Sequence, residues 1–119
     1  MLPAIAKLVS LDIYRDGGSV SASFLGTDGI KYCLLFPIDS RRDQQRRGFK
    51  PPLLESRRPT EYTSKITGEK LADFVKESAH ISWEDASALL GQLAPFAASA
   101  SLFTKMVQLA AHEGSPVDS

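Results

Sequence analysis

Residues 19–25 run Ser19-Val20-Ser21-Ala22-Ser23-Phe24-Leu25, so that polar and apolar side chains alternate through most of the stretch. Successive side chains of a β-strand point to opposite faces of the sheet. This period of two therefore places Val20, Ala22 and Phe24 on one face and the three serines on the other. The stretch predicts a strand with one buried face and one polar face, and the rest of the fold is built outward from it.

Turn-forming residues flank this strand on both sides. Arg15-Asp16-Gly17-Gly18 precedes it and Gly26-Thr27-Asp28-Gly29 follows it, and both sequences are typical of tight turns between antiparallel strands. The neighbouring strands are predicted over Leu8 to Tyr14 and Ile30 to Phe36. The first third of the chain is therefore predicted to be a β-meander. A weaker alternation over Glu61 to Ile66 predicts a short fourth strand at a sheet edge.

The second half of the chain shows apolar residues at near-helical spacing. Gly68 to Ala79 predicts an amphipathic surface helix. A second helix is predicted to begin after Ser82, whose hydroxyl can accept from the first-turn amides, and to stop or kink before Pro95. A third is predicted from about Phe96 to His112. The sequence thus predicts an α+β fold, in which an N-terminal antiparallel sheet of three or four strands is packed by two or three C-terminal helices.

Length and composition favour one domain that spans residues 1–119, because 119 residues with 43% hydrophobic side chains suit a single core. The single cysteine, Cys33, cannot form an internal disulfide, which suits a reducing compartment and predicts a cytoplasmic protein. Residues 86–104 carry no charge. Because Gly91, Gln92 and Pro95 interrupt them, they predict a buried helical hairpin rather than a membrane span.

Positive charge is concentrated between residues 41 and 58. This stretch holds seven of the 14 Lys and Arg residues and has a net charge of +5, which leaves −5 for the rest of a neutral chain. Prolines bound and interrupt it, and it lacks sustained periodicity, so a mobile basic loop is predicted over about 39–59; the last residues, about 114–119, are predicted to be frayed. The predicted partner-binding residues are Arg41, Arg42, Arg46, Arg47, Phe49, Lys50, Arg57 and Arg58.

Three interpretations of this basic segment remain open. It binds an acidic protein partner, because arginine pairs bidentately with carboxylates at protein interfaces. Alternatively, it binds single-stranded nucleic acid through phosphates while Phe49 stacks on a base. The third interpretation is a solvated loop without a partner. The sequence favours the protein partner, since the acidic remainder of the chain would repel a long polyanion.

Candidate catalytic and metal-binding residues have simpler structural interpretations. Cys33 would need His80 or His112 as a base, but its place within an apolar strand predicts a buried thiol. These three residues lack the short spacing of a zinc site, and Asp12 is predicted to face solvent. Neither glycine-rich phosphate-binding motif is present. We therefore predict a protein that is not an enzyme and that has no metal or cofactor.

The predicted layout resembles the small single-domain immunity proteins that bacteria make to neutralise toxins. The residues that carry the resemblance are the opening hairpins, over 11–18 and 28–36, followed by a helical half. It covers the general layout without a diagnostic motif, so it transfers no residue role. It implies a non-enzymatic inhibitor that binds one toxin domain in the cytoplasm. The basic segment departs from the acidic character of many immunity proteins that bind nuclease toxins, which argues against a nuclease target.

Overall fold

The computed structural model describes residues 2–15, 18–39 and 48–115. Its strands are β1 (Ile5–Ile13), β2 (Val20–Gly26), β3 (Lys31–Phe36), β4 (Ile38–Asp39), β5 (Gly48–Phe49), β6 (Leu53–Thr63) and β7 (Lys70–His80). Its helices are α1 (Trp83–Ala97) and α2 (Ser101–Ala111). Five strands form one antiparallel sheet in the order β1-β2-β3-β6-β7, and β4 pairs with β5. The predicted α+β class is confirmed.

One face of the central strands forms the core with the two helices. The alternation of β2 is confirmed, because Val20, Ala22 and Phe24 are buried in one cluster. The register pairs Ala22 with Leu34 and Val20 with Phe36, so β3 extends the same apolar face. The helices cover this face with their own buried side chains, which are Ala86, Leu89, Leu90, Leu93, Ala97, Phe103, Met106, Leu109 and Ala110.

Helix α1 begins as predicted, because the Ser82 hydroxyl accepts from the Asp85 N–H at 3.0 Å. The predicted stop before Pro95 is wrong, since the helix continues to Ala97. Pro95 lacks the N–H that would bond the Gly91 carbonyl four residues back, and its ring crowds that carbonyl. Gly91 is exposed, so water can solvate that carbonyl and the helix tolerates the proline near its end.

Helix α2 begins five residues later than predicted. The chain leaves α1 at Ala98, and Ala100 caps α2 without a side-chain hydrogen bond. Phe103, Met106 and Ala110 lie on the buried side of α2, whereas Val107 is 42% exposed. The uncharged residues 86–104 thus supply most of α1 and the start of α2, and none of the described helices is long and apolar enough to cross a membrane.

The helix predicted over residues 68–79 is wrong, because this segment forms β7. All 11 residues of β7 pair with β6. Leu71 and Phe74 suggested the apolar stripe of a helix, yet they lie on opposite faces of the strand and are 38% and 50% exposed. Backbone pairing with β6, rather than burial of a stripe, holds this segment in place. It also raises the sheet to five strands, one more than the largest number predicted.

The loop predicted over 39–59 is wrong for those described residues that form strands. Gly48–Phe49 form β5, and β6 already begins at Leu53. The N–H of Phe49 donates to the Gly114 carbonyl at 3.0 Å, and that of Lys50 donates to the Pro37 carbonyl at 2.8 Å. Gly114 itself is buried, which corrects the predicted fraying at this residue. The prediction for residues 40–47 and 116–119 lies outside the described residues.

Candidate functional site

The outer parts of β6 and β7 project from the sheet as a two-stranded ribbon. Strand β3 pairs with β6 only as far as Arg57, whereas β7 follows β6 to Thr63. We define the ribbon as residues 58–63 and 70–75 with the connecting turn. Pro59 is compatible with this position, because the missing N–H is tolerated where a strand has a free edge. The ribbon therefore reaches solvent on both faces.

The turn of the ribbon is fixed by its own hydrogen bonds. The Ser64 hydroxyl accepts from the N–H groups of Ile66 and Thr67, both at 3.2 Å. Gly68 adopts a φ of 73°, a left-handed conformation that favours glycine. The Ser64 N–H donates to the Glu69 carbonyl at 2.9 Å and closes the loop. The chain thus presents a defined hairpin tip.

Apolar side chains on this ribbon remain uncovered. Tyr62 and Leu71 lie directly opposite each other on one face, and they are 51% and 38% exposed. Phe74 is half exposed on the other face, and Ile66 at the tip is 95% exposed. Exposed apolar side chains that lie close together mark interaction surfaces more often than scattered ones do. The ribbon is the part of the described structure where such residues are most concentrated.

The sheet also has an open face, opposite the helices, which no described helix covers. It consists of the strand residues that lie between core residues in the sequence, whose side chains therefore point away from the helices. Its middle is polar and small, with Ser21 and Ser23 on β2, Cys33 on β3 and Ser78 on β7. The three serines of residues 19–25 alternate with the core residues as predicted, but Ser19 and Ser21 are buried, so the expected solvent-exposed side is wrong for these two residues.

Four cations lie in one cross-strand line at the ribbon end of this open face. Lys7 pairs with Leu25, Leu25 with Lys31, Lys31 with Arg57, and Arg57 with Lys76. We call Lys7, Lys31, Arg57 and Lys76 the cation row. Neighbouring strands are about 4.8 Å apart, so the row crosses the sheet over about 19 Å. Lys31 and Arg57 are directly opposite each other, as are Arg57 and Lys76, and like charges in such positions destabilise a sheet.

Within the described residues, no carboxylate oxygen lies within 4.0 Å of a cation of this row; the described ion pair, Lys70 with Glu61 at 3.8 Å, lies on the ribbon instead. Lys31, Arg57 and Lys76 line a groove of about 280 Å³, together with Ser23, Cys33 and Glu55. Glu55 is the carboxylate of this groove, and it lies two residues before Arg57 on the same strand. The positive charge of the groove is therefore only partly balanced.

Arg57 is held in place by an aromatic ring. Its guanidinium carbon lies 5.4 Å from the centroid of Phe74, a cation–π distance. Phe74 pairs with Pro59, two residue pairs further out than Arg57 and Lys76, so the ring is attached to the base of the ribbon. This contact positions the planar donor fork of Arg57 beside the groove, where it can form two parallel hydrogen bonds to an oxyanion.

The predicted partner-binding residues fall into separate places. Arg57 lies in the cation row, whereas Arg58 is exposed on the opposite face of β6, because adjacent strand residues alternate. The partly buried ring of Phe49 packs against the core, which limits its availability for stacking on a base. Lys50 follows it and is also partly buried. Arg41, Arg42, Arg46 and Arg47 lie outside the described residues.

Sequence reasoning missed Lys7, Lys31 and Lys76 as companions of Arg57. Each is an isolated lysine in the sequence, and only the pairing of five strands brings them into one line. The available signal was weak: Lys31 occupies a polar position in the predicted third strand. Its partner in β6 could not be predicted, because residues 53–57 were assigned to a loop.

The candidate catalytic residues do not form a catalytic group. Burial raises the pKa of the Cys33 thiol, although the nearby Ser23 and Ser21 hydroxyls oppose this effect. His80 lies on β7, and β6 separates it from the strand of Cys33 by about 10 Å. Its Nδ1 lies 3.2 Å from the Pro51 carbonyl. Among the described residues no group of three His, Cys, Asp or Glu side chains is arranged to hold a metal ion.

Asp12 has a local partner, since its carboxylate accepts from the Ser10 hydroxyl at 2.8 Å. Asp28 supports its turn by accepting from the Ile30 N–H at 2.9 Å and from the Tyr32 hydroxyl at 2.7 Å. Both carboxylates are exposed. Their contacts account for them as structural groups of the sheet and its turn.

No protein-family model matches the chain, and no curated protein or solved structure shows significant similarity to it.

Proposed function

We propose that this protein is a non-enzymatic binding module whose partner is a protein with acidic groups, docked on the ribbon and the adjacent cation row. The observation that carries the proposal is the exposed ribbon, where the half-exposed Phe74 lies beside Arg57, a cation that has no ion-pair partner among the described residues. Protein interfaces combine aromatic and apolar residues at their centre with arginine, and such residues dominate the binding energy. Tyr62, Phe74 and Arg57 supply that combination here.

The ribbon offers side chains rather than a free strand edge to this partner. The N–H of Phe74 donates to the Asp73 carboxylate at 2.8 Å, and Lys70, Asp73, Lys76 and Glu77 place charges along β7. Charged side chains along an edge strand oppose the addition of another strand. We therefore infer docking around both faces of the ribbon. The Tyr62–Leu71 pair is the apolar contact on one face, and the cation row on the other face binds the partner's acidic groups.

Neutralisation of a bacterial toxin is one specific form of this proposal. It is supported by the resemblance in layout to immunity proteins, and it assigns the acidic groups to a toxin domain. It also predicts that the complex forms in one-to-one stoichiometry and abolishes the toxin's activity. The protein-binding role itself requires only the ribbon and the cation row.

The test is affinity capture from native extract, followed by titration of the purified partner against variants. The double substitution Tyr62→Ser and Leu71→Ser should weaken the complex at least tenfold, because hot-spot truncations cost about 2 kcal/mol or more. Phe96→Ser and Val107→Ser form the matched control, since these helical residues are 48% and 42% exposed. If the two double variants bind the partner with equal affinity, the ribbon is not part of the interface.

Single-stranded nucleic acid is the second candidate partner, and the observation that favours it is the length of the cation row. Four cations across about 19 Å can contact several phosphates of an extended strand. This role predicts binding that falls steeply with added salt and weakens when Lys31 or Lys76 is changed to Gln. The absence of binding to single-stranded RNA and DNA at low salt would eliminate it.

A further inference from the structure

The groove at the cation row has the features of a site for a small anionic ligand. It is lined by cations from three adjacent strands, Lys31 on β3, Arg57 on β6 and Lys76 on β7. Their backbone positions are spaced about 4.8 Å apart, so their long side chains can converge on one tetrahedral group. The groove, at about 280 Å³, is at the small end of ligand-binding sites. It would hold one small molecule.

The charge of the groove defines the charge of that ligand. Three cations and the Glu55 carboxylate leave a local net charge of +2, and no ion pair within the described residues neutralises it. A phosphate monoester carries close to two negative charges at neutral pH, because its second pKa is about 6. Arg57 can bind two of its oxygens with its planar fork, while the lysines act as point charges. We propose that this groove binds a phosphate monoester.

The position of Glu55 indicates which functional group the organic part of the ligand carries. Glu55 and Arg57 are two residues apart on one strand, so they face the same groove about 7 Å from each other. A carboxylate repels phosphate but accepts hydrogen bonds from hydroxyl or amino groups. The ligand is therefore a small ester with its phosphate at the lysines and Arg57 and a hydroxyl or amino donor toward Glu55. A nucleic-acid backbone would repeat its negative charge there.

This inference does not require protein docking on the ribbon, but it assigns Lys31, Arg57 and Lys76 to a phosphate, whereas the proposed function assigns them to acidic groups of a protein. The probes are inorganic phosphate and glycerol phosphate, titrated by NMR at constant ionic strength into the full chain. Amide shifts are expected to concentrate at residues 31, 57 and 76. Arg57→Gln should weaken the binding of both probes about tenfold, since a hydrogen bond to a charged group contributes about 1.5–3 kcal/mol. Lys105→Gln is the control of equal charge change on α2, and it should change affinity less than twofold.

Further variants separate the site from diffuse attraction. Arg57→Lys keeps the charge but loses the bidentate fork, so it should weaken binding several-fold. Glu55→Gln should strengthen the binding of inorganic phosphate, because it removes the repulsion by the carboxylate. It should also reduce the preference of the groove for glycerol phosphate over inorganic phosphate. Binding should fall below about pH 6, because the dianionic monoester then takes up one proton and loses one of its two negative charges. Lys31→Gln and Lys76→Gln give the same test if Arg57→Gln fails to fold.

Three results would overturn the site. Equal weakening by Arg57→Gln and Lys105→Gln would show attraction to overall charge. Shifts confined to other amides would place the phosphate elsewhere. Binding of a single-stranded oligonucleotide without binding of glycerol phosphate would assign the cation row to nucleic acid. Phosphate binding that survives Tyr62→Ser with Leu71→Ser would support the site even if the ribbon binds no protein.

Discussion

The guanidinium of Arg57 lies over the ring of Phe74, with 5.4 Å between the guanidinium carbon and the ring centroid. Arg57 belongs to the last row of β6 that is paired on both sides, and Phe74 belongs to the ribbon. Their contact therefore links the groove to the ribbon. Because Phe74 is half exposed, the ring can contact a docked partner while it still holds the arginine.

A double-mutant cycle can measure this link. Arg57→Gln and Phe74→Ala should show a coupling of about 0.5 kcal/mol, the size of an exposed cation–π interaction. The measurement is the free energy of unfolding in urea for the wild type, both single variants and the double variant. Arg58→Gln replaces Arg57→Gln in the control cycle, since Arg58 lies on the opposite face. Coupling of equal size in both cycles would refute a specific contact.

Gly114 is predicted to tolerate no side chain. Its φ is 78°, and a Cβ atom there would lie 2.6 Å from the Trp83 ring and 2.9 Å from the Phe49 carbonyl oxygen. Gly114→Ala should therefore destabilise the fold by more than the roughly 1–2 kcal/mol of a left-handed alanine. Gly29→Ala is the matched control, because Gly29 has a φ of 79° with no atom within 4 Å of its added Cβ.

Thermal unfolding of these two variants provides the test. The difference between them reports the close contacts with the Trp83 ring and the Phe49 carbonyl oxygen together, since the backbone strain is nearly the same. That contact matters because the Trp83 ring also stacks on Phe36 at 5.9 Å. Equal melting temperatures for Gly114→Ala and Gly29→Ala would mean that Trp83 moves away without cost.

Ser82 is predicted to stabilise α1 through its cap. Ser82→Ala removes the acceptor of the Asp85 N–H and should lower the free energy of unfolding by about 1 kcal/mol. Ser87→Ala is the control on the same helix. It removes an exposed hydroxyl from the helix interior, where alanine is the better helix former, and it should be neutral or slightly stabilising in urea titrations. A loss of stability in both variants would contradict the cap.

Local signals in the sequence sufficed for the core of this fold. The alternation of residues 19–25, the glycine turns and the Ser82 cap each act over a few residues, so their structures follow from neighbouring residues. The segment 70–80 was wrongly predicted to be helical because Leu71, Phe74 and Val75 fit helical spacing. Its strand structure depends on β6, which was itself predicted only over Glu61 to Ile66. An error in one strand of a hairpin therefore carried over to its partner.

The candidate site was less predictable because it depends on strand register. A shift of one residue between β3 and β6 would move Arg57 to the other face of the sheet. The charge of residues 41–58 drew attention to Arg57 but gave no sign of Lys7, Lys31 or Lys76. Nor could it distinguish Arg57 from Arg58, which the strand places on opposite faces. The pairing of distant strands creates the cation row.

Cys33 is predicted to react slowly with alkylating reagents at neutral pH. Burial raises its pKa above the ordinary value of 9.0, and only the thiolate is an effective nucleophile. The alkylation rate of the folded protein should be lower than that of the urea-unfolded protein at the same pH. Fast alkylation at neutral pH in the folded state would contradict this and revive Cys33 as a catalytic candidate.

The Tyr32–Asp28 hydrogen bond predicts two pH ranges of changing stability. Burial, reinforced by the bond to Asp28, raises the pKa of Tyr32 from 10.0 to about 12. The neutral phenol is therefore favoured in the folded state, so its contribution is complete below pH 10 and is lost as pH rises to about 12. The same bond, aided by the Ile30 N–H, lowers the pKa of Asp28 below 3.8. That contribution is present above this pH and is lost as pH falls.

Tyr32→Phe should flatten the stability profile between pH 10 and 12, because it removes the phenol whose pKa is raised. Asp28→Asn keeps a side-chain oxygen at the turn but removes the charge. It should lower the pKa of Tyr32 part of the way toward 10.0, since burial persists. Urea unfolding across pH and NMR titration of the assigned Tyr32 ring provide the two measurements. A Tyr32 pKa that is the same in Asp28→Asn and the wild type would leave burial as its only cause.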